Sequence, residues 1–232
     1  MLRDLPFESP HYSRRDPRYR EGDAALFYLL ELNYPQFLAS RTGKDDRWAK
    51  ELEKSIVSSI LNLQDRRTGG VYRYARDTYQ REGYFSNLTV AKLTEMYGGP
   101  SADASTNFTG RERILPKGRK ASWTHFVWQL CWWGARQYIT TGETRYRALH
   151  ERLFKTGLSL VTGQRERSLD VGSDGVSRVV RIPPWCMPEC YIAERSPRGR
   201  EMIIPSPHTP LNWATAEMLH AFTLRRELLL GE

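Results

Sequence analysis

Stretches in which apolar residues recur at the helical period alternate along this chain with stretches in which the period is lost. Residues 23–40, DAALFYLLELNYPQFLAS, carry the helical spacing, and Pro35 predicts a kink or break within it. Residues 44–64 carry it more strongly. Acids sit early, and Ile56, Ile60 and Leu63 share one face. Gly69-Gly70 then ends the pattern. A shorter helix is predicted over 86–97. Residues 121–141, ASWTHFVWQLCWWGARQYITT, are apolar and aromatic on nearly every side, which predicts a buried helix. Ser122 is its expected N-cap, and Gly142 lies just past its end. Residues 143–162 predict an amphipathic helix with Leu149, Leu153 and Leu158 toward the core. The last helix is predicted over 210–229, with Pro210 at or near its first turn.

The aperiodic stretches are long. Residues 98–120, GGPSADASTNFTGRERILPKGRK, are rich in Gly, Ser, Thr and charge and predict a long loop. Residues 163–209 show little helical pattern and hold a hairpin signal around Gly172-Ser-Asp-Gly175. About six helices result, with short strand signals only inside the loops. The expectation is an all-α architecture whose loops build a pocket at one end. Residues 1–20 form a basic N-terminal segment, with Arg3, Arg14, Arg15, Arg18 and Arg20, and residues 21–232 form the helical domain.

Composition narrows the function classes. The chain has 232 residues, 40% hydrophobic and 12% aromatic, enough for a packed core and unlike a disordered chain. No apolar run reaches membrane-spanning length, and the polar start has no secretory apolar region. With three cysteines, the expectation is a cytoplasmic, reduced protein. The net charge of +8 permits a polyanion partner. Beyond the N-terminal cluster, however, the arginines are dispersed, and no nucleic-acid-binding motif accompanies them. Neither a nucleic acid nor a membrane is expected as a partner.

Two loops carry the candidate chemistry. Residues 69–80, GGVYRYARDTYQ, gather Arg73, Tyr74, Asp77 and Tyr79. Arg and Asp supply fixed donors and acceptors, and tyrosine supplies a ring and a hydroxyl. That mixture suits vicinal sugar hydroxyls and the C–H face of a pyranose; it equally suits an Arg–Asp pair that only pins the loop. The second loop is PPWCMPECY, 183–191, with PSPHTPLNW following at 205–213. Cys186 and Cys190 are spaced C-x3-C near His208, but a zinc site needs four ligands in tight pairs, so no metal and no cofactor are expected. The cysteines read best as small buried fillers. Glu189 is the strong polar group among Trp185 and the prolines. It is placed either to act as a general base or to serve as a capping or salt-bridged glutamate.

In chain order these residues resemble glycoside hydrolase family 15, the glucoamylase-like family, and the related domain of the phosphorylase kinase alpha and beta subunits. Arg73-Tyr-Ala-Arg-Asp77-Thr-Tyr79 is similar to the R-Y-x-x-D-T-Y loop, whose Arg and Asp grip the terminal glucose. Trp123 resembles the aromatic residue that opens the next inner helix. Pro188-Glu189-Cys190-Tyr191 resembles the segment carrying the catalytic base. Pro210-Leu211-Asn212-Trp213-Ala214 resembles the stretch that opens the last helix. The resemblance implies an (α/α)6-barrel (six-hairpin glycosidase) fold, of which this chain supplies the C-terminal half. It implies an inverting hydrolase of α-glucans, with Glu189 as catalytic base and Arg73, Asp77, Tyr79, Trp123, Trp185 and Trp213 around the sugar. The family's catalytic acid lies in the other half and has no counterpart here; Glu82 and Glu194 are fallback candidates. The alternative implied is a non-catalytic carbohydrate-binding or regulatory module of the phosphorylase kinase type. Expected partners are an α-glucan or oligosaccharide and, to cover the half-barrel, a second copy or another subunit.

Overall fold

A computed structural model describes residues 24–73, 121–170, 179–195, 201–206 and 209–231. The helix predicted over 86–97, the loop over 98–120, the segment 1–20 and the hairpin tip at 172–175 lie outside these residues. Among the described residues there are six helices and five short strands.

A 3-10 turn, Ala24–Leu26, leads into α1 (Phe27–Glu31), and α2 (Tyr34–Thr42) follows. The helix predicted over 23–40 is therefore broken, ahead of Pro35. Asn33 turns the chain with φ 51, and Pro35 sits in the first turn of α2, where its missing N–H forfeits no hydrogen bond. In α3 (Asp46–Leu61) the Asp45 carboxylate accepts from the Trp48 amide at 2.9 Å, and Asp46 lies at the positive end of the dipole. Ala49, Leu52, Ile56 and Ile60 form the buried stripe, with Leu63 just beyond it, so the predicted face is the real one. Glu53 shares that stripe. It is tolerated because the Tyr146 hydroxyl donates to it and Arg145 lies 3.9 Å away.

Three further helices form the heart of the structure. In α4 (His125–Thr141) every residue from His125 to Ala135 is buried, as its apolar surface demands. It ends at Gly142, φ 70, the left-handed position glycine adopts without strain. Ser122 does not cap it. That residue lies in a strand, its hydroxyl 2.7 Å from the Thr68 hydroxyl. In α5 (Thr144–Ser159) the buried stripe is Tyr146, His150, Leu153, Phe154 and Gly157. Leu149 is partly buried, whereas Leu158, one residue past Gly157, is turned off the stripe into solvent. The last helix, α6 (Asn212–Leu230), starts two residues after Pro210 and packs on α4, with Ala214 and Ala221 buried two turns apart. Arg225 ties α6 to α5: it donates to Glu151 at 2.7 Å, lies over the Phe154 ring, and faces His150 Nε2 at 3.4 Å. Nδ1 of His150 donates in turn to the Cys131 carbonyl of α4 at 3.0 Å.

As expected, the molecule is mostly helical; among the described residues it also carries two small sheets. β1 (Ala121–Trp123), β4 (Cys190–Arg195) and β5 (Glu201–Pro205) form one antiparallel sheet, with β4 central. β2 (Arg167–Asp170) pairs with β3 (Val179–Ile182), the two arms of a hairpin where the sequence signalled one.

Gly157 of α5 lies directly against α4. A Cβ built on Gly157 falls 2.5 Å from the Trp128 ring, which is itself fully buried. Gly157→Ala is therefore expected to cost about 1–3 kcal/mol of stability by urea denaturation. An unchanged midpoint would mean that α4 and α5 are not packed at this distance.

Candidate functional site

Two loops and one helix end meet at the start of α4. Val71 and Trp123 exchange backbone hydrogen bonds at 2.9 and 2.8 Å, which brings in the loop that ends at Arg73. Trp123 is also the strand partner of Cys190, which brings in the segment carrying Glu189. At the next residue, the Thr124 hydroxyl donates to the Pro188 carbonyl at 2.6 Å, and its amide reaches the Glu189 carbonyl at 3.3 Å. A cap hydroxyl that ordinarily serves its own helix is spent here on holding the Glu189 loop. Leu211, just ahead of α6, donates to the Met187 carbonyl at 2.9 Å, which joins the start of α6 to the same loop.

The side chains form a continuous aromatic cluster. The Arg73 guanidinium lies 4.5 Å from the centre of the Trp123 ring, a cation–π contact. Trp123 meets His125 edge-on at 5.8 Å. His125 packs against Phe126 at 4.1 Å and is stacked with Trp213 at 4.3 Å and 25°. Trp213, in the first turn of α6, is 46% exposed. Its indole N–H donates to Glu217 Oε1 at 3.0 Å. The same carboxylate accepts from Trp132 Nε1 at 2.6 Å and from Gln129 Nε2 at 3.1 Å, both on α4.

His125 is the electrostatic anomaly. It is only 3% exposed, and its Nδ1 has no hydrogen-bond partner. Burial, together with the nearby Arg73 charge, lowers its pKa to about 3, so the ring is neutral at physiological pH.

Each residue singled out in the sequence has a definite outcome. Arg73, Trp123 and Trp213 come together through their side chains at this end of the helices, and Glu189 is brought to it through its backbone carbonyl. Glu189 is half-buried immediately before β4. Trp185 is instead 65% exposed on the preceding turn, with φ 56. That turn is held by Thr162, whose amide donates to the Cys186 carbonyl at 2.9 Å and whose hydroxyl accepts from the Cys186 amide at 2.8 Å. Asp77 and Tyr79 lie outside the described residues, as do Glu82 and His208. Glu194 lies in β4 opposite Met202. Cys190 is buried and Cys186 half-buried, both as free thiols. Among the described residues no group of three His, Cys, Asp or Glu could hold a metal ion, and no helix is long and apolar enough to cross a membrane. Sequence reasoning passed over His125, Gln129, Trp132 and Glu217. The Trp213-to-Glu217 spacing of one helical turn was the available signal.

Comparison of the chain with family models, curated proteins and solved structures finds no match.

The lowered pKa of His125 makes a stability prediction. A histidine whose folded pKa falls below its unfolded value contributes fully above the unfolded pKa, near 6.5. Stability is then lost as pH falls from about 6.5 toward 3, at up to about 1.4 kcal/mol per pH unit. Urea midpoints between pH 6.5 and 4 should fall less steeply in His125→Phe than in the parent. Equal slopes would show that His125 is not held neutral.

Proposed function

We propose that this chain is a glucoamylase-like glycoside hydrolase domain, the C-terminal half of an (α/α)6 barrel, acting on α-glucans. The observation that carries the reading is the meeting of Arg73, Trp123, Glu189 and Trp213 at one end of packed helices. These four come from segments distant in sequence, and a buried tryptophan, a stacked and half-exposed tryptophan and an arginine are what a pyranose site uses. In this reading Glu189 takes a proton from water as the water oxygen bonds to the anomeric carbon. The glycosidic C–O bond breaks on the opposite face, and a carboxylic acid protonates the departing oxygen. An inverting pair stands about 6.5–9.5 Å apart to leave room for that water. The acid is supplied from outside the described cluster, by another chain or another region, with Glu82 and Glu194 as this chain's own candidates.

A non-catalytic carbohydrate-binding or regulatory module of the phosphorylase kinase type is the second reading. It is favoured by Glu217, the carboxylate fixed within the cluster. Both its oxygens are engaged by Trp132, Trp213 and Gln129, so it is not presented to a substrate as an acid.

Glucose release from maltotetraose, with Glu189→Gln beside the parent, separates the two. A hydrolase loses roughly 100- to 10,000-fold in rate when its general base is removed. Binding of the sugar without turnover in either protein would select the module, and an active Glu189→Gln would overturn the assignment of the base.

Half a barrel also leaves a face to cover. Leu219, Leu229 and Leu230 are exposed along α6, as an uncovered face requires. The expected state by light scattering is at least a dimer or a complex with another subunit; a clean monomer would count against the half-barrel.

A further inference from the structure

We infer that Glu217 is the positioning residue that fixes Trp213 as a stacking platform for a pyranose ring, an inference that rests on the carbohydrate reading above. Three neutral N–H groups converge on this one carboxylate, from Trp132, Trp213 and Gln129, and no ion pair reaches it among the described residues. The donors come from two helices. Trp132 and Gln129 belong to α4, three residues apart and hence on one face, while Trp213 and Glu217 lie one turn apart on α6.

Two contacts constrain Trp213. Stacking on the buried His125 ring fixes the plane of the indole, and the bond from its Nε1 to Glu217 fixes rotation within that plane. Glu217 is itself anchored to α4, whose residues here are buried and closely packed. Trp213 nevertheless keeps 46% of its surface exposed. A half-exposed indole held in both plane and rotation is preorganised, so a ligand stacking on it spends little ordering entropy. The flat C–H face of a pyranose is the ligand chemistry that such a surface takes. The neutral state of His125 matters here: a charged ring beneath Trp213 would repel Arg73 and draw water into the stack.

The test combines a spectroscopic readout with a binding cycle, using maltotriose as the probe. In Glu217→Ala the indole N–H resonances of Trp213 and Trp132 should both move upfield and lose protection from exchange. Glu217→Gln keeps one acceptor oxygen where the carboxylate has two, so it should restore the shift and protection of one of the two indoles and not of the other. Maltotriose affinity should fall roughly tenfold in Glu217→Ala and by at least as much in Trp213→Ala. The double variant should be no weaker than Trp213→Ala alone, because Glu217 acts through Trp213. Unmoved indole resonances, or losses that simply add, would overturn the inference while leaving the carbohydrate site standing. A parent protein that does not bind maltotriose would instead overturn the carbohydrate reading and the platform's assigned ligand with it. The indole resonances would then report the clamp alone.

Discussion

The backbone pairing of Trp123 is the constraint on which the rest of the site depends. On one side it exchanges two hydrogen bonds with Val71, and on the other it pairs with Cys190. The Trp123 backbone is thus paired on both sides, and all three residues of β1 are buried. Because α4 begins two residues later, that pairing also sets where the buried helix starts. Thr124, between strand and helix, then spends its hydroxyl on Pro188 and not on its own helix end. The loop that carries Glu189 is thus joined to the start of the buried helix α4 by backbone and side chain together. The same end receives Trp213 through the bond from Leu211 to Met187.

Close helix packing extends this rigidity through the body. Gly157 lets Trp128 settle against α5, and Ala214 and Ala221 let α6 settle against α4. Arg225 bridges α6 to Glu151, and His150 bridges α5 to the Cys131 carbonyl. Burial is the main influence lowering the pKa of His150; the bond to the Cys131 carbonyl and the Glu151 charge oppose it, and the Arg225 charge adds to it. The buried Cys131 thiol beside it is pushed far up by burial and is no nucleophile. A Cys–His contact that would invite a catalytic reading elsewhere is here a joint between helices.

What the sequence made legible follows from range. The helices of 44–64, 121–141, 143–162 and 210–229 were visible because their buried faces repeat within one element, and the Gly142 stop was visible because only its own backbone decides it. The break near Pro35 was visible too, though the left-handed Asn33 took it two residues earlier than the proline suggested. Ser122 was misplaced because a serine before an apolar run looks like a cap whether or not a strand claims it. The sheet of β1, β4 and β5 was hidden: CYIAER and EMIIP are short, and β1 finds its partner nearly seventy residues away, about as far as pairing can be from a local signal. The candidate site divides in the same way. Arg73, Glu189 and Trp213 were legible as residue types in loops. His125 and the Glu217 clamp were not, because each acquires its meaning from a ring or a donor on a different helix.

The unpaired polar groups show why His125 stands apart. Trp128 and Trp133 also bury indole N–H groups without partners, yet each sits deep in α4 among aromatic rings, where a large apolar body offsets one lost hydrogen bond of about 1–3 kcal/mol. Phe154 and Tyr146 meet those rings edge-on, so the packing that strands the N–H also compensates it. Imidazole has less apolar surface to offer and two nitrogens to satisfy. Burying it beside an arginine, with Nδ1 unpaired, is a net cost that hydrophobic contact offsets less fully. Phenylalanine would fill the same space without that cost. The chain places histidine there, under the one half-exposed tryptophan of the cluster. It does so at the end of the molecule where Trp185 also holds a left-handed backbone that a bulky residue adopts only under constraint. An unpaired buried histidine and a left-handed tryptophan, both where the loops meet, are the kind of local cost expected at an end that the packed helices hold in place.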